Sequence, residues 1–246
     1  MKNVTDISVC IPSFNGEKYI AKQLESIFSQ ELQVDEIIIS DDSSTDRTVE
    51  IIKSYRDARI ILLENNDFKS PALNLENALN HATGAVIFLS DQDDIWLPGK
   101  VKVMREQLKS YDLVVSDASL IDGNGDIIEE SFFKMRNSGP GFLKNIKINT
   151  YIGCCMAFNR KTLQLALPFP DNMLGSIHDW WIGFVAETTG KVIFLDVPQI
   201  LYRRHSNNVT ATKSKTTLFT KMWWRYFMLK EIFVRWLQVK CRLSAP

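Results

Sequence analysis

Gly84-Ala85-Val86-Ile87-Phe88-Leu89, followed at once by Ser90-Asp91-Gln92-Asp93-Asp94-Ile95-Trp96-Leu97-Pro98, is the stretch whose reading decides the fold. The unbroken apolar run reads as a buried strand. Three carboxylates within four residues then stand at its carboxyl end, where open α/β sheets bind ligands. Two carboxylates spaced Asp-x-Asp on a tight turn can share one hard divalent cation, and that cation can hold a diphosphate. The same acids also have a purely structural use. Asp93 or Asp94 would cap a helix over 98–109, with Pro98 in its first turn.

Outward from this stretch, apolar β-branched runs over 7–11, 35–40, 59–63, 85–89 and 113–116 alternate with helical patterns over 16–30, 45–55, 71–82 and 98–109. Such alternation is the signature of βαβ units, so the expected class is α/β with a Rossmann-like, mostly parallel central sheet flanked by helices. The second half is less regular. Ile121-Asp122-Gly123-Asn124-Gly125-Asp126 reads as a hairpin tip. Residues 131–149 read as an irregular loop around a Ser-Gly-Pro-Gly stretch, 153–158 as a strand, 178–188 as a helix, and 192–195 and 199–202 as two strands. The expected organisation is one domain over 1–212, with a nucleotide-binding half (1–117) and an acceptor half (118–212), followed by a basic aromatic helical tail over 213–246.

Length and composition bound the function. With 246 residues and 45% hydrophobic content the chain fills one well-packed domain. No stretch is apolar and uncharged enough for a membrane span, and the amino-terminal residues carry no signal-peptide pattern. Cys10, Cys154, Cys155 and Cys241 lack zinc-like spacing and read as reduced thiols of a cytosolic protein. The zero net charge hides an asymmetry. From Lys213 onward there are eight basic residues against Glu231 alone, so the tail carries +7 and residues 1–212 carry −7.

Two further segments carry candidate chemistry. Asp41-Asp42-Ser43-Ser44-Thr45-Asp46 follows the second strand; its acids can accept hydrogen bonds from a base or ribose, while Ser44 or Thr45 would cap the next helix. Pro12-Ser13-Phe14-Asn15-Gly16 ends the first strand, with Gly16 for a tight turn and Phe14 as a stacking face. In a parallel sheet all three segments converge on one edge, which capping alone does not explain. There is no G-x-G-x-x-G and no Walker motif, so phosphate charge must be met by a metal or by Lys and Arg side chains.

Together, Val9-Cys10-Ile11-Pro12-Ser13-Phe14-Asn15, Ile38-Ile39-Ser40-Asp41-Asp42-Ser43-Ser44-Thr45-Asp46-Arg47-Thr48 and Ser90-Asp91-Gln92-Asp93-Asp94-Ile95-Trp96 resemble the motifs of family 2 glycosyltransferases, inverting enzymes of GT-A fold, in a subgroup with rhamnosyl- and galactosyltransferases. The resemblance spans about 7–208. It implies that Pro12, Ser13, Phe14 and Asp42 contact the nucleoside, that Asp93 ligates Mn²⁺ or Mg²⁺, and that Asp91 lies near the ribose or the metal. Where many relatives carry Ala-Arg-Asn this chain has Ala72-Leu73-Asn74, and Lys69 is the candidate substitute for the missing charge. The family places an acid at the start of a helix in the second half, which maps to His178-Asp179-Trp180-Trp181 after a turn over 172–176. Asp179 is then the general base, held as a carboxylate by the helix dipole. Trp180 or Trp181 is a candidate sugar-stacking surface, or core. Tyr202-Arg203-Arg204-His205-Ser206-Asn207-Asn208 resembles the closing element, with Arg203 or Arg204 against the diphosphate and His205 as a further metal ligand.

Residues 218–239 form a strong helix candidate in which Trp223, Trp224, Tyr226, Phe227, Phe233 and Trp236 mix with Lys and Arg. Lys221, Arg225 and Arg235 are expected on one broad face. That pattern suits an interfacial helix on an anionic bilayer, or a helix packed on the domain with its cations snorkelling. The resulting expectation is a metal-dependent inverting transferase using a UDP- or dTDP-sugar and a glycan or lipid-linked acceptor in cell-surface polysaccharide synthesis. It would be cytoplasmic, peripheral at the inner face of the plasma membrane, and would not bind nucleic acid. Two other classes stay open on the sequence. A sugar nucleotidyltransferase would release pyrophosphate but lacks its Gly-rich first loop, and a non-catalytic sugar-nucleotide-binding protein would bind donor without turnover.

Overall fold

The computed structural model describes residues 6–171, 177–204 and 217–243. Its first half follows the expected alternation: β1 (Ile7–Ser13), α1 (Ile20–Phe28), β2 (Glu36–Asp41), α2 (Thr48–Ser54), β3 (Ile60–Leu63), α3 (Pro71–His81) and β4 (Val86–Leu89). After the acid loop come β5 (Ile95–Trp96), α4 (Lys100–Gln107), β6 (Leu113–Ile121) and β7 (Ile127–Glu129). The chain continues through α5 (Phe132–Arg136), α6 (Phe142–Lys147), a 3-10 turn (Gly153–Cys155), β8 (Met156–Asn159), α7 (Arg160–Ala166), α8 (His178–Thr189), β9 (Val192–Arg203) and α9 (Leu218–Leu243).

The strands form one sheet in the order β3-β2-β1-β4-β8-β6-β9-β5, with β7 paired to β6. β1 to β4 are mutually parallel; β6 and β9 are parallel to each other, and both run antiparallel to β8, as β4 does. Six of the nine strands therefore point one way. The chain leaves β1 toward β2 and β3 and returns on the other side at β4, so the topological switch point lies between β1 and β4, where α/β sheets place their ligand crevice. β4 is buried along its whole length, as its unbroken apolar run requires.

The second half departs from the sequence reading in ways with physical causes. Residues 131–149 are not a bare loop but hold α5 and α6. Ser131 caps α5, its side chain accepting from the Lys134 N–H, and buried Asn145 ties the Gly139–Thr150 segment together by donating to the Gly139 carbonyl and accepting from Thr150. α7 was not expected; its signal is Asn159, whose side chain accepts from the Thr162 N–H. The expected strand over 153–158 begins as the 3-10 turn and becomes β8 only at Met156. The two expected late strands are one, β9, because the Asp196-Val197-Pro198 interruption is absorbed as a register shift against Ser116 and Asp117. The expected hairpin tip is present: Asp122 Oδ1 accepts from the N–H groups of Asn124, Gly125 and Asp126, and Gly125 has φ 106°.

Candidate active site

The carboxyl ends of β1, β2 and β4 bring the three sequence motifs to one edge. At the switch point a single side chain bridges the loops that follow β1 and β4. Gln92 Oε1 accepts from the Phe14 N–H at 3.0 Å, and Gln92 Nε2 donates to the Phe14 carbonyl at 2.9 Å. Gly16 makes room for this clamp, since a Cβ there would lie 2.3 Å from Gln92 Oε1. Phe14 itself is 54% exposed, so its ring is available as a stacking face, with Pro12 half-buried two residues before it.

Asp41 and Asp42 divide their work. Asp41 is buried and satisfied internally: its carboxylate accepts from Ser13 Oγ at 2.7 Å, from Ser44 Oγ at 2.6 Å and from the Ser44 N–H at 2.8 Å. Ser13 is accordingly a brace, since its side chain is used by Asp41. Asp42 is half-buried, accepts from the Phe68 N–H at 2.6 Å and lies on the ligand edge. Ser44 and Thr45 do not cap α2, contrary to expectation; Asp46 holds its first turn by accepting from the Thr48 N–H. Asn15, Ser43 and Lys69 occupy left-handed backbone at φ 48°, 59° and 50° in loops along this edge. For a non-glycine residue that conformation costs about 1 kcal/mol, and such costs gather at functional sites. Lys69 is exposed and pairs with Asp67 at 3.1 Å.

Beyond β4, Asp91 and Asp93 are half-buried and Asp94 is fully buried. Neither Asp93 nor Asp94 caps a helix. α4 starts only at Lys100, behind Gly99, with no side-chain cap. Asp94 Oδ1 instead accepts from the Arg203 N–H at 2.8 Å, and its Oδ2 has no hydrogen-bond partner. Among the described residues, the donor atoms of Asp91, Asp94 and Cys154 lie within 4.8 Å of one another. Asp93, the residue expected to hold a metal, is outside that group and acts on both neighbours through its charge. Burial first, then repulsion from Asp93, pushes Asp91 up to about 7, and the same causes raise Asp94 well above the carboxylate range. Beneath them Lys100 is fully buried, donates from Nζ to the Cys154 carbonyl at 2.5 Å and lies 4.5 Å from the centroid of the Trp96 ring. Crowded, mutually repelling carboxylates and an orphaned buried oxygen fit a hard divalent cation of the Mg²⁺ or Mn²⁺ kind.

Arg203 does not face a diphosphate. It is 1% exposed, its Nε donates to the Asp93 carbonyl at 2.8 Å, its Nη1 donates to the Asp122 carbonyl at 3.1 Å, and its guanidinium lies 4.8 Å from the Tyr19 ring centroid. It braces the acid loop against the β6–β7 hairpin. Arg204, half-buried and donating to Tyr202 Oη at 3.2 Å, is the remaining candidate of the pair. His205 and the turn expected over 172–176 lie outside the described residues.

On the other side stands Asp179, in the first turn of α8. The 3-10 turn joins it to the acids: Cys154 belongs to the acid cluster, while a Cβ on Gly153 would lie 3.9 Å from Asp179 Cβ and 3.3 Å from His178 Nε2. The absence of a side chain at Gly153 thus leaves space in front of both residues. The helix dipole does not keep Asp179 low, contrary to expectation. Burial raises it to about 7, with the Asp91 charge adding to the shift against hydrogen bonds from the Trp180 N–H and Asn149. His178, by burial, is held neutral with its pKa down to about 4, and its Nδ1 has no partner. Trp180 offers no stacking face: it is 5% exposed and its Nε1 donates to the Asn145 carbonyl at 3.0 Å. Trp181 is wholly core, donating to the Ala166 carbonyl. Gln92, Lys100, Cys154, Asn149 and His178 were not singled out from sequence for these roles; the signal for Gln92 was its place inside the acid motif.

The family model described as Glycosyl transferase family 2 matches residues 8–165, more than half the chain and the whole edge formed by the ends of β1, β2 and β4. The chain belongs to glycosyltransferase family 2. Among named relatives of this family 2 chain, the UDP-Glc:alpha-D-GlcNAc-diphosphoundecaprenol beta-1,3-glucosyltransferase WfgD of Escherichia coli is 29% identical over 67% of this chain and 64% of its own length. The dTDP-rhamnosyl transferase RfbG of Shigella flexneri is 30% identical over 80% of this chain and 72% of its own. The solved structure of S. aureus TarS 1-349 in complex with UDP-GlcNAc superposes with a TM-score of 0.67 at 20% identity, covering 94% of this chain and 66% of that one, which shows the shared GT-A fold. The chain spans less than two thirds of the length of WfgD and of that TarS chain.

Proposed function

We propose that this family 2 chain is an inverting, metal-dependent glycosyltransferase that moves one sugar from a pyrimidine nucleoside diphosphate donor to a lipid-linked glycan in cell-surface polysaccharide synthesis. The observation that carries the proposal is the 3-10 turn, which sets the donor-side acids and Asp179 on either side of Gly153 and Cys154. Relatives named for UDP-Glc and dTDP-rhamnose, and for a diphosphoundecaprenol acceptor, support the donor and acceptor classes.

Phe14 stacks on the base and Asp42 accepts from its edge, with Pro12 and Ser13 shaping the floor. Asp91, which belongs both to the Asp91–Asp94–Cys154 group and to the Asp-x-Asp pair, would hold Mn²⁺ or Mg²⁺ together with half-buried Asp93, and the ion would supply counter-charge to the leaving diphosphate. Lys69 and Arg204 add positive charge from the edge loops, and His205 is a further candidate ligand. Asp179 takes the proton from the acceptor hydroxyl as its oxygen attacks the anomeric carbon. One C–O bond forms, the bond from that carbon to the diphosphate oxygen breaks, and the nucleoside diphosphate leaves with its electron pair. A single displacement inverts the anomeric configuration. A lipid-linked acceptor places the enzyme at the inner face of the plasma membrane as a peripheral protein, with α9 the element that touches lipid.

The test is a transfer assay over UDP- and dTDP-sugars with diphosphate-lipid acceptors, with Mn²⁺ or with EDTA. Expected is metal-dependent product of inverted anomeric configuration with one nucleotide class. Retained configuration, or equal turnover in EDTA, would overturn the corresponding part of the mechanism.

A further inference from the structure

α9 has two apolar sides. One is buried: Met228 and Ile232 pack into the domain. Beside them, Arg225 donates to the carbonyls of Ile146 and Lys147 at 2.9 and 2.5 Å, and Arg235 donates to those of Leu165 and Leu167 at 2.9 and 2.7 Å. The sequence pattern expects Lys221, Arg225 and Arg235 on one broad face, turned either to lipid or to the domain. The structure turns both arginines inward, where they are braces. The opposite side presents Met222, Trp223, Tyr226, Leu229, Phe233 and Leu237 to solvent. A helix with apolar side chains on two opposite sides normally buries both. Among the described residues no helix is long and apolar enough to cross a membrane.

Arg225 ties the inner side of α9 to the end of α6, where Leu143 is 80% exposed and Ile148 54% exposed, interleaved with exposed Lys144 and Lys147. The next residue, Asn149, hydrogen-bonds Asp179. We propose that the outward face of α9 and the Leu143–Ile148 edge of α6 form one docking face for an anionic lipid bilayer, laying the Asp179 side of the site against the membrane. Charge chooses the occupant. Lys144, Lys147 and Lys230 stand exposed among these apolar side chains, so apposing two copies through this face would set like charges together, whereas an anionic leaflet attracts them. Trp223 and Tyr226 suit the headgroup boundary, and their rings already meet at 5.9 Å. The proposal rests on the membrane-surface reading above but not on catalysis.

The experiment is vesicle flotation of the full chain on phosphatidylcholine alone and on phosphatidylcholine with phosphatidylglycerol, with donor binding followed separately by thermal shift with UDP- and dTDP-sugars. Wild type is expected to float with the anionic vesicles and to be released by salt. Tyr226→Asp with Phe233→Asp should lower the bound fraction about tenfold, and Leu143→Asp several-fold, with thermal stability and donor binding unchanged. Binding unaffected by all three changes, or no flotation of wild type, would overturn the docking face. So would a wild-type dimer in light scattering that the Tyr226→Asp and Phe233→Asp pair dissociates, since a second copy would then cover the face. Loss of donor response with intact flotation would instead strike the transferase reading.

Discussion

The edge proposed for the donor and the side proposed for the acceptor hold their acids by opposite means. On the donor edge each carboxylate loop is tied from outside: Gln92 clasps the Phe14 backbone from both sides, Arg203 grips the Asp93 carbonyl, and Asp41 is consumed in fixing Ser13 and Ser44. Asp179 is held only by its near neighbours, the Trp180 N–H and Asn149. It sits on the first turn of a helix, opposite a glycine, with a pKa set chiefly by burial. On the proposed function, the difference makes the donor edge a rigid cradle for a constant group, the nucleoside diphosphate. The acceptor side would then be an open wall whose chemistry rests on one carboxyl raised by burial.

The sharpest way to break this contrast is at Asp179. Asp179→Asn should lower the transfer rate about 10²–10⁴-fold while leaving donor-induced thermal shift intact, the range expected for loss of a general base. Near-normal transfer would remove Asp179 as the base. Next in size is Arg203→Ala, which strips donors from the Asp93 and Asp122 carbonyls and empties a buried site. A loss of about 3 kcal/mol is expected, hence a melting temperature lower by roughly 6–12 °C, read by calorimetry. A shift below about 2 °C would mean that the acid loop needs no brace.

Gln92→Ala is a milder probe of the same cradle. It leaves the Phe14 N–H and carbonyl to water, costing about 0.5–1 kcal/mol because both bonds are exposed, and should raise the donor KM more than it lowers kcat. An equal fall in kcat with KM unchanged would place Gln92 in the chemical step rather than in positioning.

The same contrast governs what could be read from sequence. The donor edge was legible because strands buried in a parallel sheet are written as unbroken apolar runs, and the residues that follow them must lie at one edge. The second half and the braces that reach across from it were less so, for three physical reasons, although α8 with Asp179 in its first turn was legible. Short helices such as α5, α6 and α7 are fixed by local caps and tertiary packing rather than by periodicity. Arg203 looked like a phosphate ligand because its long-range partners, the Asp93 and Asp122 carbonyls, are backbone atoms that no motif records. Trp180 and Arg225 were ambiguous between surface and packing roles until the opposing helix was in place.

An effect of similar size concerns pH and tests desolvation directly. Asp179 has a folded pKa of about 7, raised by burial above the ordinary carboxyl value. The folded protein therefore binds more protons than the unfolded chain between pH about 4 and 7. The linked stability is present in full below the lower value and is lost as pH rises through the upper one. Asp179→Asn removes that loss. The melting temperature of the variant, relative to wild type, should thus climb as pH rises from 5 to 8, by about 2–4 °C, or about 1 kcal/mol. The figure is held well below the full shift because the side chain is half-buried and water screens it. Catalysis moves the other way, since the wild-type base must lose its proton to act, and transfer should rise with pH to a plateau above about 7. A variant parallel to wild type at every pH would mean that the carboxyl ionises near its ordinary value, and the acceptor side would then be as well solvated as any surface acid.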